Sequence, residues 1–221
     1  MVYNLCMDAS KIIDNTIEYV KDVFQNDFSG HDYFHTMRVY RMALNLAKKE
    51  KADLFIVAMA ALLHDVDDYK LSPETYPTKE RARSFLQSQN VEPSVINQII
   101  ECIDTVSFKG KDSVIPSTIE GKCVQDADRL DALGAMGISR TFAYSGSHNR
   151  ILYNPDIAPL YDMDEETYRN HTSTAINHFY EKLFLLKDML NINAAKEIAE
   201  HREAFMKDFL DEFYAEWDGK I

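Results

Sequence analysis

The sequence predicts an all-α protein, and three observations carry the prediction. Apolar residues recur at helical spacing in nearly every segment, strand-like alternation is scarce, and 221 residues hold only seven glycines and six prolines. With 46% hydrophobic residues and no Gly/Ser-rich linker, repeat or low-complexity block, residues 1–221 read as a single domain around one core.

The elements follow in order. Ile12, Ile13, Ile17, Val20 and Phe24 form one helical stripe, and Val39, Met42 and Leu46 form another on a helix that starts near His31. Asp53 is placed to cap a helix through Leu63, Thr78 after Pro77 to start one through Gln87, and Pro93 to occupy the first turn of one through Asp104. VSFKGKDSVIPS reads as a loop. Residues 119–144 are again helical, with small residues (Ala127, Ala132, Gly134, Ala135, Gly137) that admit close neighbours and a kink near the glycines. SGSHNRILYNPDIAPLYDMDEE is a polar connection longer than most loops, so it is either functional or ordered by its own packing. Two long helices follow, over roughly 165–190 and 192–217.

Composition excludes several classes. A formal net charge of −12 argues against a nucleic-acid polymer as partner, because phosphate backbones need a broad basic surface. It leaves room for a small anion held by a local cluster of positive charge. No window approaches the roughly 20 apolar residues that span a bilayer, and no leader pattern opens the chain, so the expectation is a soluble protein without a membrane partner. Cys6, Cys102 and Cys123 are odd in number and widely spaced, which fits a reducing cytoplasm better than a disulfide framework or cysteine metal site.

The stretch AALLHDVDDYK, residues 60–70, ends an apolar helix in His64, Asp65, Asp67 and Asp68. At helical spacing Val57, Ala61 and His64 share one stripe and Ala58, Ala61 and Asp65 nearly the same one, so the histidine and the first aspartate emerge from the buried face. A carboxylate there is costly unless paired or bound to a cation. In GHDYFHTMRVYRMA, His35 lies on the stripe of Val39 and Met42; in VQDADRLDALGA, Asp128 lies on that of Val124, Ala132 and Ala135. Two imidazoles and two carboxylates facing one core make a divalent-metal cage of mixed nitrogen and oxygen donors, suited to manganese, iron, cobalt, nickel or zinc. Asp126 and Asp131 compete for the last position, and helical register does not exclude Asp131.

This ordered set resembles the HD superfamily of metal-dependent phosphohydrolases. Within it, GHDYFH, LLHDVDDYK, QDADRLDALGAMGISRTFAY and INHFYEKLFLLKD resemble the YpgQ/YedJ-type bacterial group, over about residues 30–190. The resemblance implies an HD-domain helical bundle with His35, His64, Asp65 and Asp128 as metal ligands, Asp128 being chosen because it stands at the aspartate of ADRL. Asp131 is then expected to orient a ligand or a bound water. Because IIECIDTVSFKG contains no histidine, one metal per chain is expected rather than two. Manganese is the first choice, with magnesium, iron, cobalt, nickel or zinc as alternatives.

Asp68, one turn past His64, is the expected base for the attacking water, a role an acid often has at this position of the family pattern; Asp67 is expected to end the helix in solvent. Arg38, His31, Lys109, Arg140 and the His178/Lys182 pair at i and i+4 are the candidate phosphate contacts. Phe179, Tyr180 and Phe184 read as core. The leading function is a nucleotide pyrophosphohydrolase that converts nucleoside or deoxynucleoside triphosphates to monophosphate and pyrophosphate, the substrate class resting on the resemblance. A nucleoside monophosphate phosphatase is the rival enzyme, and a non-catalytic binding or regulatory protein on an HD scaffold the rival of another class. Guanosine tetraphosphate hydrolysis is disfavoured because HDVDDY lacks the Glu-Asp pair of such hydrolases, and no HExxH, glycine-rich phosphate loop or GxSxG is present. The resemblance is compatible with a homodimer.

Overall fold

The computed structural model describes the backbone of residues 2–25, 32–69 and 71–221 and the side chains among them from residue 9 onward. Helices dominate, and among the described residues the only strand-like feature is an isolated bridge between Lys109 and Lys111. Among the described residues no helix is long and apolar enough to cross a membrane. Contacts gather the chain into two compact units, residues 1–108 with 114–128, and residues 109–113 with 129–221.

In the first unit, α1 (Val2–Val23), α2 (Tyr33–Glu50), α3 (Leu54–Leu63), α4 (Glu80–Ser88), α5 (Pro93–Asp104) and the start of α6 (Ile119–Asp131) surround a core built on α3. The sequence LFIVAMAALL is apolar on all sides, which suits a helix with no solvent face. It packs against α1, α2 and α5, and every residue from Val57 to Leu63 is buried. Its start matches expectation, since the Asp53 carboxylate accepts from the amides of Phe55 (2.9 Å) and Ile56 (3.1 Å). Pro93 likewise opens α5, and the Asp32 carboxylate caps α2 by accepting from the amide of His35 (2.7 Å).

Three boundaries differ from the sequence reading. α4 begins at Glu80 rather than Thr78, because its first amides are taken by a distant side chain: Asp67 accepts from Arg81 N (3.2 Å) and Ala82 N (2.9 Å). The expected single helix over 119–144 is two, α6 and α7 (Gly134–Ser147), broken where Gly134 takes φ +71°, a conformation glycine adopts without strain. Arg202 packs where a β-carbon on Gly134 would sit, so close approach also demands the glycine.

The third difference lies in the second unit. The expected helix over 165–190 is interrupted: α8 (Glu165–Asn170), an irregular stretch, a π-helical turn (Phe179–Leu183) and α9 (Phe184–Asp188) precede α10 (Asn193–Trp217). The break falls at the hydroxyl run Thr172, Ser173 and Thr174, where Thr174 Oγ1 accepts from Asn177 N (3.0 Å) and so competes with helical hydrogen bonding. The polar connection before α8 is anchored by groups from the segment that follows α8 rather than by its own packing alone. Buried Glu181 accepts from Leu160 N (3.1 Å), Ser173 Oγ (2.8 Å) and His171 Nε2 (3.1 Å), while Asn177 Nδ2 donates to Ile157 O (2.8 Å). Phe179 is fully buried, and Tyr180 and Phe184 are half-buried beside it.

Candidate metal centre

His35, His64, Asp65 and Asp128 converge within the first unit. α2 delivers His35 one turn after its cap, the end of α3 delivers His64 and Asp65, and α6 delivers Asp128. Asp65 Oδ2 lies 3.3 Å from His35 Nε2 and 3.2 Å from His64 Nε2; Asp128 Oδ1 lies 3.4 Å and 3.9 Å from the same nitrogens. Donors about 2.1 Å from one cation sit roughly 3.0–3.4 Å apart, so the spacing of Asp65 from both imidazoles fits a shared ion, with Asp128 farther from His64 at 3.9 Å. His35, His64 and Asp65 are buried, and their donor atoms all lie within 4.8 Å of one another.

The orientation of His64 makes a second test of fit. Its Nδ1 is held by the carbonyl of Ala61 at 2.9 Å, which turns Nε2 toward the carboxylates, where that buried nitrogen makes no aligned hydrogen bond. A ring fixed through one nitrogen with the other presented inward is the arrangement of a metal-ligating histidine.

Electrostatics agree. Burial opposes a charge on His64, but the Asp65 carboxylate beside it, Asp128 and the Ala61 carbonyl outweigh burial and raise it to about 9. Without a cation, a proton therefore neutralises part of the cluster. Because the folded value lies above the ordinary 6.5, this contribution to stability is fully present below pH 6.5 and is lost as pH rises through about 9. Metal-stripped protein is expected to lose about 3 kcal/mol over that range relative to His64→Gln. Urea midpoints of both proteins at pH 6 and pH 9.5 provide the check, and parallel pH profiles would remove His64 from this role.

Asp67 corrects the sequence reading. It is 1% exposed rather than in solvent, and its carboxylate caps α4. Since α3 is apolar all round, periodicity there does not distinguish an inward aspartate from an outward one. Asp67→Ala is expected to cost about 2 kcal/mol of stability, at the upper end for a cap, because the carboxylate is buried. A denaturant midpoint equal to wild type would show that the cap contributes nothing.

Asp68 is half-buried in the turn after Asp65, its N–H donating to the Asp65 carbonyl (3.0 Å). Arg38 is half-buried on α2, one turn past His35. His31 lies outside the described residues. The remaining candidates belong to the second unit. Arg140 donates to Asp131 (2.8 Å), Lys109 faces Glu165 (3.8 Å), and Lys182 lies 5.7 Å from the Tyr168 ring; His178 is half-buried at the start of the π-helical turn. Asp131 is buried in that pairing with Arg140, and Asp126 is buried on α6. Burial pushes Cys102 up to about 11 and Cys123 to about 12, so neither is a thiolate at neutral pH.

The HD domain family model matches residues 32–133, a span that contains all four clustered residues. YpgQ of Bacillus subtilis is 40% identical over 194 residues, 87% of each chain. A solved structure from Lactobacillus plantarum has 42% identity and TM-score 0.83, covering 94% of this chain and 97% of its own. An HD-superfamily hydrolase of Bacillus thuringiensis has 41% identity and TM-score 0.74, covering 95% and 98%. The structure of Bacillus subtilis YpgQ in complex with ADP aligns with TM-score 0.74 and 35% identity over 92% and 97% of the two chains. The chain belongs to the HD superfamily of metal-dependent phosphohydrolases.

Proposed function

We propose that the protein is a nucleotide pyrophosphohydrolase, converting nucleoside or deoxynucleoside triphosphates to monophosphate and pyrophosphate with one divalent cation, manganese first, held by His35, His64, Asp65 and Asp128. The convergence of these four side chains, three of them buried, carries the reading. ADP in the related YpgQ structure supports a nucleotide as ligand. When bound, the cation supplies positive charge to phosphate oxygens and lowers the pKa of water beside it.

The chain's own groups do the rest. Asp68 takes the proton of the attacking water as its oxygen bonds to the α-phosphorus; the bond from that phosphorus to the bridging oxygen breaks and pyrophosphate leaves. The turn carrying Asp68 is pinned on both sides, its N–H on Asp65 O and its carbonyl accepting from Leu71 N (3.1 Å) and Ser72 N (2.7 Å), so the carboxylate starts from a fixed backbone. Arg38 contributes positive charge to a phosphate oxygen from α2.

Separation of products from metal-loaded protein tests the reading. Triphosphates should yield monophosphate and pyrophosphate in equal amounts. Orthophosphate released from monophosphates instead would make the protein a phosphatase, and nucleotide binding without turnover would make it a binding protein.

A further inference from the structure

Lys79, which plays no part in the reading above, is the residue just before α4 and is 6% exposed. Lysines are almost never so buried without a partner or a use for the charge. Its ammonium stands 3.7 Å from the centroid of the Tyr76 ring and 3.9 Å from Asp104 Oδ1, while the Asp104 side chain is itself 55% exposed. The cation is thus sheltered along its stem, and among the groups around its tip is a carboxylate that water can take over.

Its backbone points the same way. Lys79 sits at φ +52°, in the left-handed region where glycine or asparagine fits with less strain. A turn that needed only this shape would be better served by either. The strained position keeps a long cationic side chain, which suggests that the side chain is what the site uses.

Contacts within the first unit join the segments around Lys79 to the elements that carry the cluster. Asp67, two residues after Asp65, holds the amides of Arg81 and Ala82 just beyond Lys79. Asp104 precedes Thr105, whose carbonyl accepts from Gln125 Nε2 (2.6 Å), and Gln125 lies on α6 about one turn before Asp128. The Tyr76 ring packs edge-on at 5.8 Å against Tyr69, the residue after Asp68. The surrounding segments are rich in carboxylates (Asp65, Asp67, Asp68, Asp104, Asp126, Asp128), so a polyphosphate entering there requires fixed positive charge from the protein as well as from a cation.

We propose that Lys79 is a substrate-binding residue whose ammonium transfers from Asp104 to a phosphate oxygen of the nucleotide at the neighbouring cluster, with the Tyr76 ring guiding its stem. This rests on the cluster being a nucleotide site. Titration of Mn²⁺-loaded protein with ADP, pyrophosphate and adenosine, alongside thermal melts, tests it. Lys79→Met is expected to weaken ADP and pyrophosphate about 10- to 100-fold, the range for a hydrogen bond to a charged group, with adenosine unaffected and the melting temperature unchanged or raised. Asp104→Asn should tighten ADP several-fold by removing the competing carboxylate. Unchanged ADP affinity in Lys79→Met, or equal weakening of ADP and adenosine with a lowered melting temperature, would make Lys79 a structural strut. If Lys79→Met does not fold, unchanged or weaker ADP binding in Asp104→Asn overturns the assignment. A wild type that binds neither phosphate probe overturns the nucleotide reading together with it.

Discussion

His64→Ala and Asp65→Ala are each expected to leave the protein without bound divalent metal and without turnover, whereas the wild type carries about one ion per chain. Each side chain supplies one of four converging donors, and Asp65 approaches both imidazoles. Partners that merely orient a ligand are worth about 10- to 100-fold in metal affinity, so deleting a ligand costs more than that. Elemental analysis of purified proteins, with circular dichroism to confirm folding, gives the answer. Full metal occupancy in His64→Ala, or two tightly held ions in the wild type, would break the one-metal description.

The second large effect separates Asp68 from the proposed ligands three and four residues before it. Asp68→Asn keeps size and hydrogen-bonding capacity but removes basicity. Turnover should fall about 10²-fold or more, the usual scale of general base catalysis, while metal content and nucleotide binding stay at wild-type levels. Single-turnover hydrolysis distinguishes the outcomes. Wild-type rates would place the base elsewhere, and loss of metal would make Asp68 a ligand.

The all-α architecture and the caps at Asp53 and Pro93 were legible because they depend on local periodicity and on residues adjacent to the helix they start. That His35, His64 and Asp65 would face the core was legible from their helical stripes, whereas Asp128 was separated from Asp126 and Asp131 only by the family resemblance, since register left all three open. The burial of Asp67 and the exact start of α4 were not legible. The amides at the start of α4 find their acceptor 14 and 15 residues earlier, and no local pattern marks such a pairing. The burial of Lys79 was equally hidden, because a lysine beside a helix start ordinarily reads as solvated. The break at residues 171–178 did leave a trace, the hydroxyl run Thr172, Ser173 and Thr174, which apolar spacing on either side outweighed.

The four clustered residues are unequally sheltered. His35, His64 and Asp65 are sealed by the core, whereas the Asp128 side chain retains 27% of its exposure. The cluster therefore has a closed floor and an open side. A cation held by this set would be reached past Asp128 while α3 stays packed, so its residence time is expected to follow the release of that peripheral carboxylate rather than opening of the core. The rate of metal exchange is accordingly expected not to track the rate of global unfolding.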